Sequence, residues 1–252
     1  MINVLISGIG GKMGRNIYDI VENDSETQVV CGVDVKATKD FGATPVYTDF
    51  ADVTETPDVV IDFSAPAALP SLLSFAKRKK CAVVLATTGY SQEDLAAIAQ
   101  AQEEIAVFKT ANFSVGINLL VKLVKQAAEF LGESYDVEIV EKHHNQKVDA
   151  PSGTALMLAD SVNEAFDNQK EYVNGRSGRV GKRGKEIGIH AVRGGTIVGD
   201  HDVYFCGEDE VITFSHRADS KKVFATGAVR AAKFVAGKAP GLYDMKDVLA
   251  DL

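Results

Sequence analysis

The densest chemistry in the chain lies in one run, Glu141-Lys142-His143-His144-Asn145-Gln146-Lys147-Val148-Asp149-Ala150-Pro151-Ser152-Gly153-Thr154. Two of the five histidines are adjacent here. They close a strand-like stretch, Asp136–His144, in which Val137 and Ile139 alternate with polar residues. Side chains alternate faces along a strand, so His143 and His144 are expected to point to opposite sides. Lys147 is expected to return from the following loop to the same cleft. Ser152, Gly153 and Thr154 open a helix whose first N–H groups can cradle an anion. A protonated amine or imidazole holds a carboxylate and gives up its proton as negative charge builds nearby. Two histidines, two lysines and a helix N-terminus therefore suit a small molecule carrying carboxylates. The competing reading is a polar surface loop before a capped helix. Zinc at the histidine pair lacks cysteine or carboxylate ligands at a recognised spacing.

A second site is written at the N-terminus. Gly8-Ile9-Gly10-Gly11-Lys12-Met13-Gly14 follows the apolar run Asn3–Ser7 and opens a helix, with glycines in a G-x-x-G-x-x-G pattern. Such a turn lets the backbone approach a pyrophosphate at the positive end of a helix. Asp34 ends the next strand, twenty residues after Gly14, where a carboxylate accepts hydrogen bonds from a ribose. Asp34 favours the free hydroxyl of NAD, whereas Lys36 and Lys39 suit the 2′-phosphate of NADP; both stay open. Two further turns, Ala86-Thr87-Thr88-Gly89 and Lys109-Thr110-Ala111-Asn112-Phe113, follow strands and are placed to reach the same ligand.

The elements that must position these residues come in two rhythms. Strands at Asn3–Ser7, Gln28–Asp34, Asp58–Ser64, Ala82–Ala86 and Ile105–Lys109 alternate with helices near Met13–Glu22, Ala68–Lys80 and Gln92–Gln102. Ser91 and Asp94 have the spacing of a reciprocal helix cap. This is the pattern of a Rossmann-type doubly wound parallel sheet, an α/β domain. After Ala111 come helices at Val115–Leu131 and Ser152–Phe166, the strand Asp136–His144, and strands at Gly188–Val192, His201–Phe205 and Glu210–Ser215. They predict a second, α+β domain with a mixed sheet, before a last helix at Lys221–Ala236. The glycine-punctuated basic stretch with Arg176, Arg179, Lys182, Arg183 and Lys185 reads as a solvated connection or a mobile segment; it does not match a P-loop. His190, His201 and His216 read as structural.

Composition narrows the classes. With 27 basic and 35 acidic side chains the formal charge is −8, so an anionic ligand must be held by local groups, and nucleic acid is a poor partner. The apolar runs are too short to span a bilayer, and no basic segment precedes a long apolar one at the N-terminus. Cys31, Cys81 and Cys206 form no C-x-x-C pair and read as buried, reduced thiols, the usage of a cytoplasmic protein. A short-chain alcohol dehydrogenase would need Tyr-x-x-x-Lys, which none of the seven tyrosines begins. A non-catalytic dinucleotide sensor would need no proton donors and would carry a partner module; no helix-turn-helix is evident.

Over nearly its whole length the chain resembles the bacterial 4-hydroxy-tetrahydrodipicolinate reductases of lysine and diaminopimelate biosynthesis. The resemblance rests foremost on EKHHNQKVDAPSGTAL, Glu141 to Leu156. Lys12-Met13-Gly14, Thr87-Thr88-Gly89, Ala111 to Gly116 and Arg193-Gly194-Gly195-Thr196-Ile197-Val198-Gly199 support it. It implies that NADPH or NADH reduces a small cyclic dicarboxylate imine. It implies that His143 is the catalytic proton donor and acceptor and Lys147 a second donor, with His144, Ser152, Gly153 and Thr154 at the dicarboxylate. Gly8, Ile9, Gly10, Gly11, Lys12, Met13, Asp34, Ala86, Thr87, Thr88, Thr110, Ala111, Asn112 and Phe113 become the cofactor contacts. Many members have glycine where this chain has Ala86, and arginine where it has Val35. The implied organisation is a dinucleotide domain of residues 1–111 plus 226–252, a substrate and oligomerisation domain of residues 112–225, and a homotetramer.

Overall fold

The computed structural model describes residues 1–36 and 41–250. The chain forms two compact units, Met1–Ser114 joined by the segment from Lys222 onward, and Val115–Lys221.

The first unit contains β1 (Ile2–Ser7), α1 (Lys12–Glu22), β2 (Thr27–Val33), β3 (Val46–Tyr47), β4 (Val59–Asp62), α2 (Leu69–Lys79), β5 (Ala82–Leu85), α3 (Gln92–Ala101) and β6 (Ala106–Lys109). The strands β4 and β5 are buried at every position, as the run of β-branched and apolar residues requires when helices cover both faces. The cap foreseen at α3 is present: the Ser91 hydroxyl accepts from the Asp94 N–H, and the Asp94 carboxylate accepts from the Ser91 N–H. Cys31 and Cys81 are buried free thiols, pushed up to about 12 by burial and so unreactive. Cys206 departs from expectation in being only half-buried.

The second unit begins with α4 (Val115–Leu131) and β7 (Asp136–His143), followed by α5 (Gly153–Glu164), β8 (Glu171–Asn174), β9 (Glu186–Arg193), β10 (Gly199–Cys206) and β11 (Val211–Ala218). Its strands lie in the order β11-β10-β7-β9-β8; β10 runs antiparallel to β7 and β11, and β9 parallel to β7 and β8. Burial alternates strictly along β7, so Val137, Ile139, Glu141 and His143 share the face covered by helices.

The chain then returns to the first unit as α6 (Lys222–Val235), β12 (Gly241–Tyr243) and α7 (Met245–Val248). Its sheet is wholly parallel, in the order β12-β6-β5-β4-β1-β2-β3. The helix α6 packs on α1 and on β4, β5 and β6, and Lys233 anchors it to Asp24 and Glu26 at 2.5 and 2.7 Å. The strands β3, β8 and β12 had no counterpart in the pattern of hydrophobicity. They are two to four residues long, too short to show a period.

The basic stretch after β8 is exposed from Arg176 to Lys182, as a solvated connection would be, but two of its arginines are held. Arg176 donates to both Glu138 oxygens at 2.8 and 3.0 Å and to Glu186 at 2.5 Å. Arg183 donates to Glu138 at 2.7 Å and to the carbonyls of Val137 and Glu186 at 2.9 and 2.7 Å. His190 meets Glu138 at 2.7 Å. Burial works to raise the Glu138 pKa, but the guanidinium and imidazole partners outweigh it and hold the carboxyl below its ordinary range. Its stabilisation is therefore present at neutral pH and fades as acid protonates it. Arg183→Ala is expected to cost the protein about 2 kcal/mol in urea unfolding at pH 7. That is less than a fully buried pair because the side chain is 19% exposed. A midpoint unchanged from the parent would mean that solvent replaces these bonds at no cost.

Candidate active site

At the nucleotide end the glycine turn is a consequence of space. Gly8 has φ +78, the left-handed region, and a Cβ there would meet the Phe63 carbonyl oxygen at 2.7 Å. A Cβ on Gly14 would sit 2.2 Å from the Gly8 carbonyl oxygen and 2.6 Å from the Ile9 Cα. The turn is thus folded tightly under the start of α1. That helix has glycine at its N-cap, no side-chain cap and no acidic residue in its first turn, so no side chain competes with an anion there. Asp34, just beyond β2, accepts from the Gly10 N–H at 2.9 Å and from the Lys36 N–H at 3.0 Å. The expected ribose ligand therefore also braces the expected phosphate loop.

A cavity of about 520 Å³ opens over this turn, at the carboxyl ends of β1, β2 and β4. Gly8, Gly11 and Asp34 line it together with Ser7, Val35, Asp49, Phe63 and Ser64. It lies where the sheet order reverses about β1, the usual ligand crevice of such sheets. Ile9 is fully buried, so only its backbone is available to a ligand. Gly10 and Met13 are partly exposed, and Lys12 is exposed. Lys36 is exposed; Lys39 lies outside the described residues.

The other two turns follow β5 and β6, at the same edge of the parallel sheet. Ala86 and Thr87 are partly exposed and Thr88 is exposed. Thr87 donates to Asp62 at 2.7 Å, and Ser64 donates to the other Asp62 oxygen at 2.5 Å. Asp62, 2% exposed at the end of β4, thereby ties the segment just after β4 to the turn after β5, and was not singled out in the sequence. Ala111 is exposed and Thr110 and Asn112 are partly so. Phe113 is buried, its ring packed against Phe108 and against Phe63, which lines the cavity.

In the second unit, His143 ends β7 on its covered face. Its Nδ1 lies 2.6 Å from Glu141 Oε2. Glu141 is wholly buried and is gripped on both oxygens by Arg193, at 2.8 and 2.7 Å, and by the Ser152 N–H at 3.0 Å. His201 stands edge-on to His143 with ring centroids 5.2 Å apart, and its Nε2 lies 3.1 Å from the Ser152 hydroxyl. Burial pushes His201 down to about 4, the neighbouring His143 adding to it, so this ring is neutral at pH 7. Ser152 is 2% exposed and its hydroxyl also caps α5 by accepting from the Ala155 N–H at 3.1 Å. Its groups support the frame, while Gly153 is exposed and Thr154 partly so at the start of the helix.

The lysines are not loose cations. Lys142, on the opposite face from His143, pairs with Asp202 at 2.8 Å. Lys147 donates to both oxygens of Asp149, at 2.7 and 2.8 Å, and the ammonium holds that carboxyl below its ordinary range. Lys147 is partly exposed, and its N–H turns back to the His144 carbonyl at 3.2 Å. His144 lies just past the strand and is partly exposed. Sequence reasoning missed Glu141, Arg193 and His201 as parts of this cluster. Glu141 and His143 share a face by strand alternation, a usable signal, whereas Arg193 stood in a run that supported the resemblance but pointed to no partner for it. Among the described residues no group of three or more His, Cys, Asp or Glu is arranged to hold a metal ion.

Comparison with known proteins covers nearly the whole chain. Residues 2–113 match the family model "Dihydrodipicolinate reductase, N-terminus" and residues 116–249 match "Dihydrodipicolinate reductase, C-terminus". A 4-hydroxy-tetrahydrodipicolinate reductase of Caldanaerobacter subterraneus subsp. tengcongensis is 52% identical over 99% of this chain and 98% of its own. One from Clostridium tetani is 45% identical over 99% and 97%. A solved dipicolinate-bound dihydrodipicolinate reductase from Paenisporosarcina sp. TG-14 superposes with TM-score 0.81 at 27% identity, covering 99% of each chain.

Proposed function

The chain belongs to the dihydrodipicolinate reductase family, and on that premise we propose the residues with which it works. It is an NAD(P)H-dependent oxidoreductase of lysine and diaminopimelate biosynthesis. It reduces 4-hydroxy-tetrahydrodipicolinate, through its dehydrated form, to tetrahydrodipicolinate.

The chain's own groups fit a dinucleotide: a turn with no room for a side chain at Gly8 or Gly14, an uncapped helix start, and the Asp34 carboxylate beside a cavity of about 520 Å³. When bound, that cofactor supplies the hydride. Gly8 to Met13 receive the pyrophosphate by backbone, Asp34 the ribose, and the turns at Ala86–Thr88 and Thr110–Phe113 flank the rest. His143 is the proton donor and acceptor, and Lys147 is a second donor. The dicarboxylate rests on His144 and on the start of α5 at Gly153 and Thr154, with Ser152 holding that helix start in place. The observation that carries the catalytic assignment is the placement of His143. It ends a strand in a buried polar cluster, and its Nε2 faces the bare backbone of Gly199, where a Cβ would come within 3.1 Å.

The cofactor is NADH in preference to NADPH. The charged groups lining the cavity are Asp34 and Asp49, and among the described lining residues none is basic. A 2′-phosphate placed there meets two carboxylates. Oxidation of each cofactor is followed at 340 nm on adding the cyclic dicarboxylate imine. It should give kcat/KM at least about tenfold higher with NADH, a difference of roughly 1.4 kcal/mol. A ratio of one or less would overturn the preference, and no oxidation of either would remove the residue assignments with it.

The protein is a cytoplasmic homotetramer. In the second unit α4 and α5 lie on one face of the sheet, which leaves the other for association. No helix among the described residues is long and apolar enough to cross a membrane. Light scattering should report four copies of the 27.0 kDa chain; a monomer at micromolar concentration contradicts the assignment.

A further inference from the structure

The cluster behind His143 contains more machinery than a proton donor needs for its own placement. A histidine at a strand end can adopt several ring orientations and either neutral tautomer, and only one combination presents a given nitrogen to a ligand. Here Nδ1 is held at 2.6 Å by a carboxylate oxygen of the same strand, two residues back on the same face. A wholly buried carboxylate would ordinarily be driven toward its neutral form. Three donors prevent this: Arg193 bonds both oxygens from β9, and the Ser152 N–H approaches from the start of α5. Burial opposes ionisation of Glu141, yet these partners outweigh it and hold the carboxyl below its usual range.

The remaining neighbours give the ring an orientation. His201, from β10, packs edge-on against it and is itself pinned to Ser152. On the far side of the ring Nε2 meets Gly199, where no side chain intrudes. Arg193 also reaches beyond Glu141. The nitrogen that grips Glu141 Oε1 donates in addition to the Asp149 carbonyl at 2.6 Å, and Asp149 carries the Lys147 ammonium on its carboxylate. One guanidinium thus joins the frame of His143 to the loop of Lys147.

We propose that Glu141, clamped by Arg193, is the positioning residue that keeps the proton on His143 Nδ1 and reserves Nε2 for exchange with the substrate. The proposal rests on the reading of His143 as the proton donor and acceptor. In the exchange an Nε2–H bond of the imidazolium breaks as a bond from that hydrogen to the substrate forms. The electron pair returns to Nε2, and the Nδ1–H stays directed at Glu141. Without an anionic acceptor the neutral ring can place its proton on Nε2 and turn its lone pair to the wrong side.

The test is Glu141→Gln, which keeps size but offers Nδ1 an amide that can donate. Nitrogen-15 shifts of the histidine rings in the full-length protein should show His143 protonated on Nδ1 in the parent and chiefly on Nε2 in the variant. With it, kcat should fall about 100-fold while KM for the imine changes by less than about threefold, the mark of an interaction that matters in the transition state. Arg193→Gln is the second variant, in case loss of the clamped anion prevents folding. It leaves Glu141 in place, should keep the Nδ1 tautomer in part, and should lower kcat about tenfold. An unchanged tautomer and an unchanged kcat in a folded variant would overturn the proposal. So would a fall in melting temperature with kcat per folded molecule preserved, which marks a structural role alone. His143→Asn, assayed alongside, separates the two readings. If it retains turnover, the assignment of His143 fails, whereas the ring shifts report on Glu141 independently of activity.

Discussion

Lys147→Ala should lower kcat about 100- to 1,000-fold while the dissociation constant of the dinucleotide stays within about twofold of the parent. The ammonium is partly exposed and bonded to Asp149, a carboxylate 53% exposed that a substrate carboxylate can replace at little cost. Loss of so exposed a pair contributes little to folding, on the order of 1 kcal/mol or less, so a large fall in turnover would not be a stability effect. Single-turnover kinetics with a separate titration of cofactor fluorescence distinguishes the outcomes. Equal losses in turnover and in cofactor affinity would show that this lysine maintains structure instead.

Gly14→Ala produces the opposite profile. The added methyl would lie 2.2 Å from the Gly8 carbonyl and 2.6 Å from the Ile9 Cα, backbone atoms with no freedom to swing aside. Either the turn opens or α1 slides, and in both cases the helix start no longer faces the cavity floor formed by Gly8 and Gly11. Destabilisation of about 3 kcal/mol is expected from such overpacking, seen as a lower urea midpoint. Dinucleotide affinity should fall at least about tenfold, while binding of the cyclic dicarboxylate at the site proposed on the second unit should be retained. A variant that binds NADH as the parent does would show that the turn tolerates displacement and is not the phosphate site.

These two residues also mark how far the sequence could be read. The strand-turn-helix context of Gly8, Gly11 and Gly14 and the distance to Asp34 made the tight turn legible, because one short local motif carries the whole requirement, and the structure puts Gly8, Gly11 and Asp34 around one cavity. The helix Val115–Leu131 was delimited to the residue, since seventeen positions of one period leave little choice. At the other end, the run from Glu141 to Thr154 showed where polar groups concentrate but not how their charges pair. Lys142 and Lys147 read as local positive charge suited to a carboxylate ligand, yet each is matched by a carboxylate of the chain, Asp202 and Asp149. Arg176 and Arg183 read as a solvated stretch, yet they converge on Glu138 from more than thirty residues away.

What the sequence by itself determined is everything that local periodicity and compact motifs encode: the alternation of strand and helix, the cap at Ser91, the glycine turn, and the His143 to Thr154 cassette. What only the tertiary structure decided is which charges neutralise which, that His201 packs edge-on against His143, and that Arg193 clamps Glu141 from a strand fifty residues on. The physical reason is range. Steric and hydrophobic preferences act between neighbours along the chain, whereas an ion pair or a ring contact is chosen by the register of strands that meet only after folding.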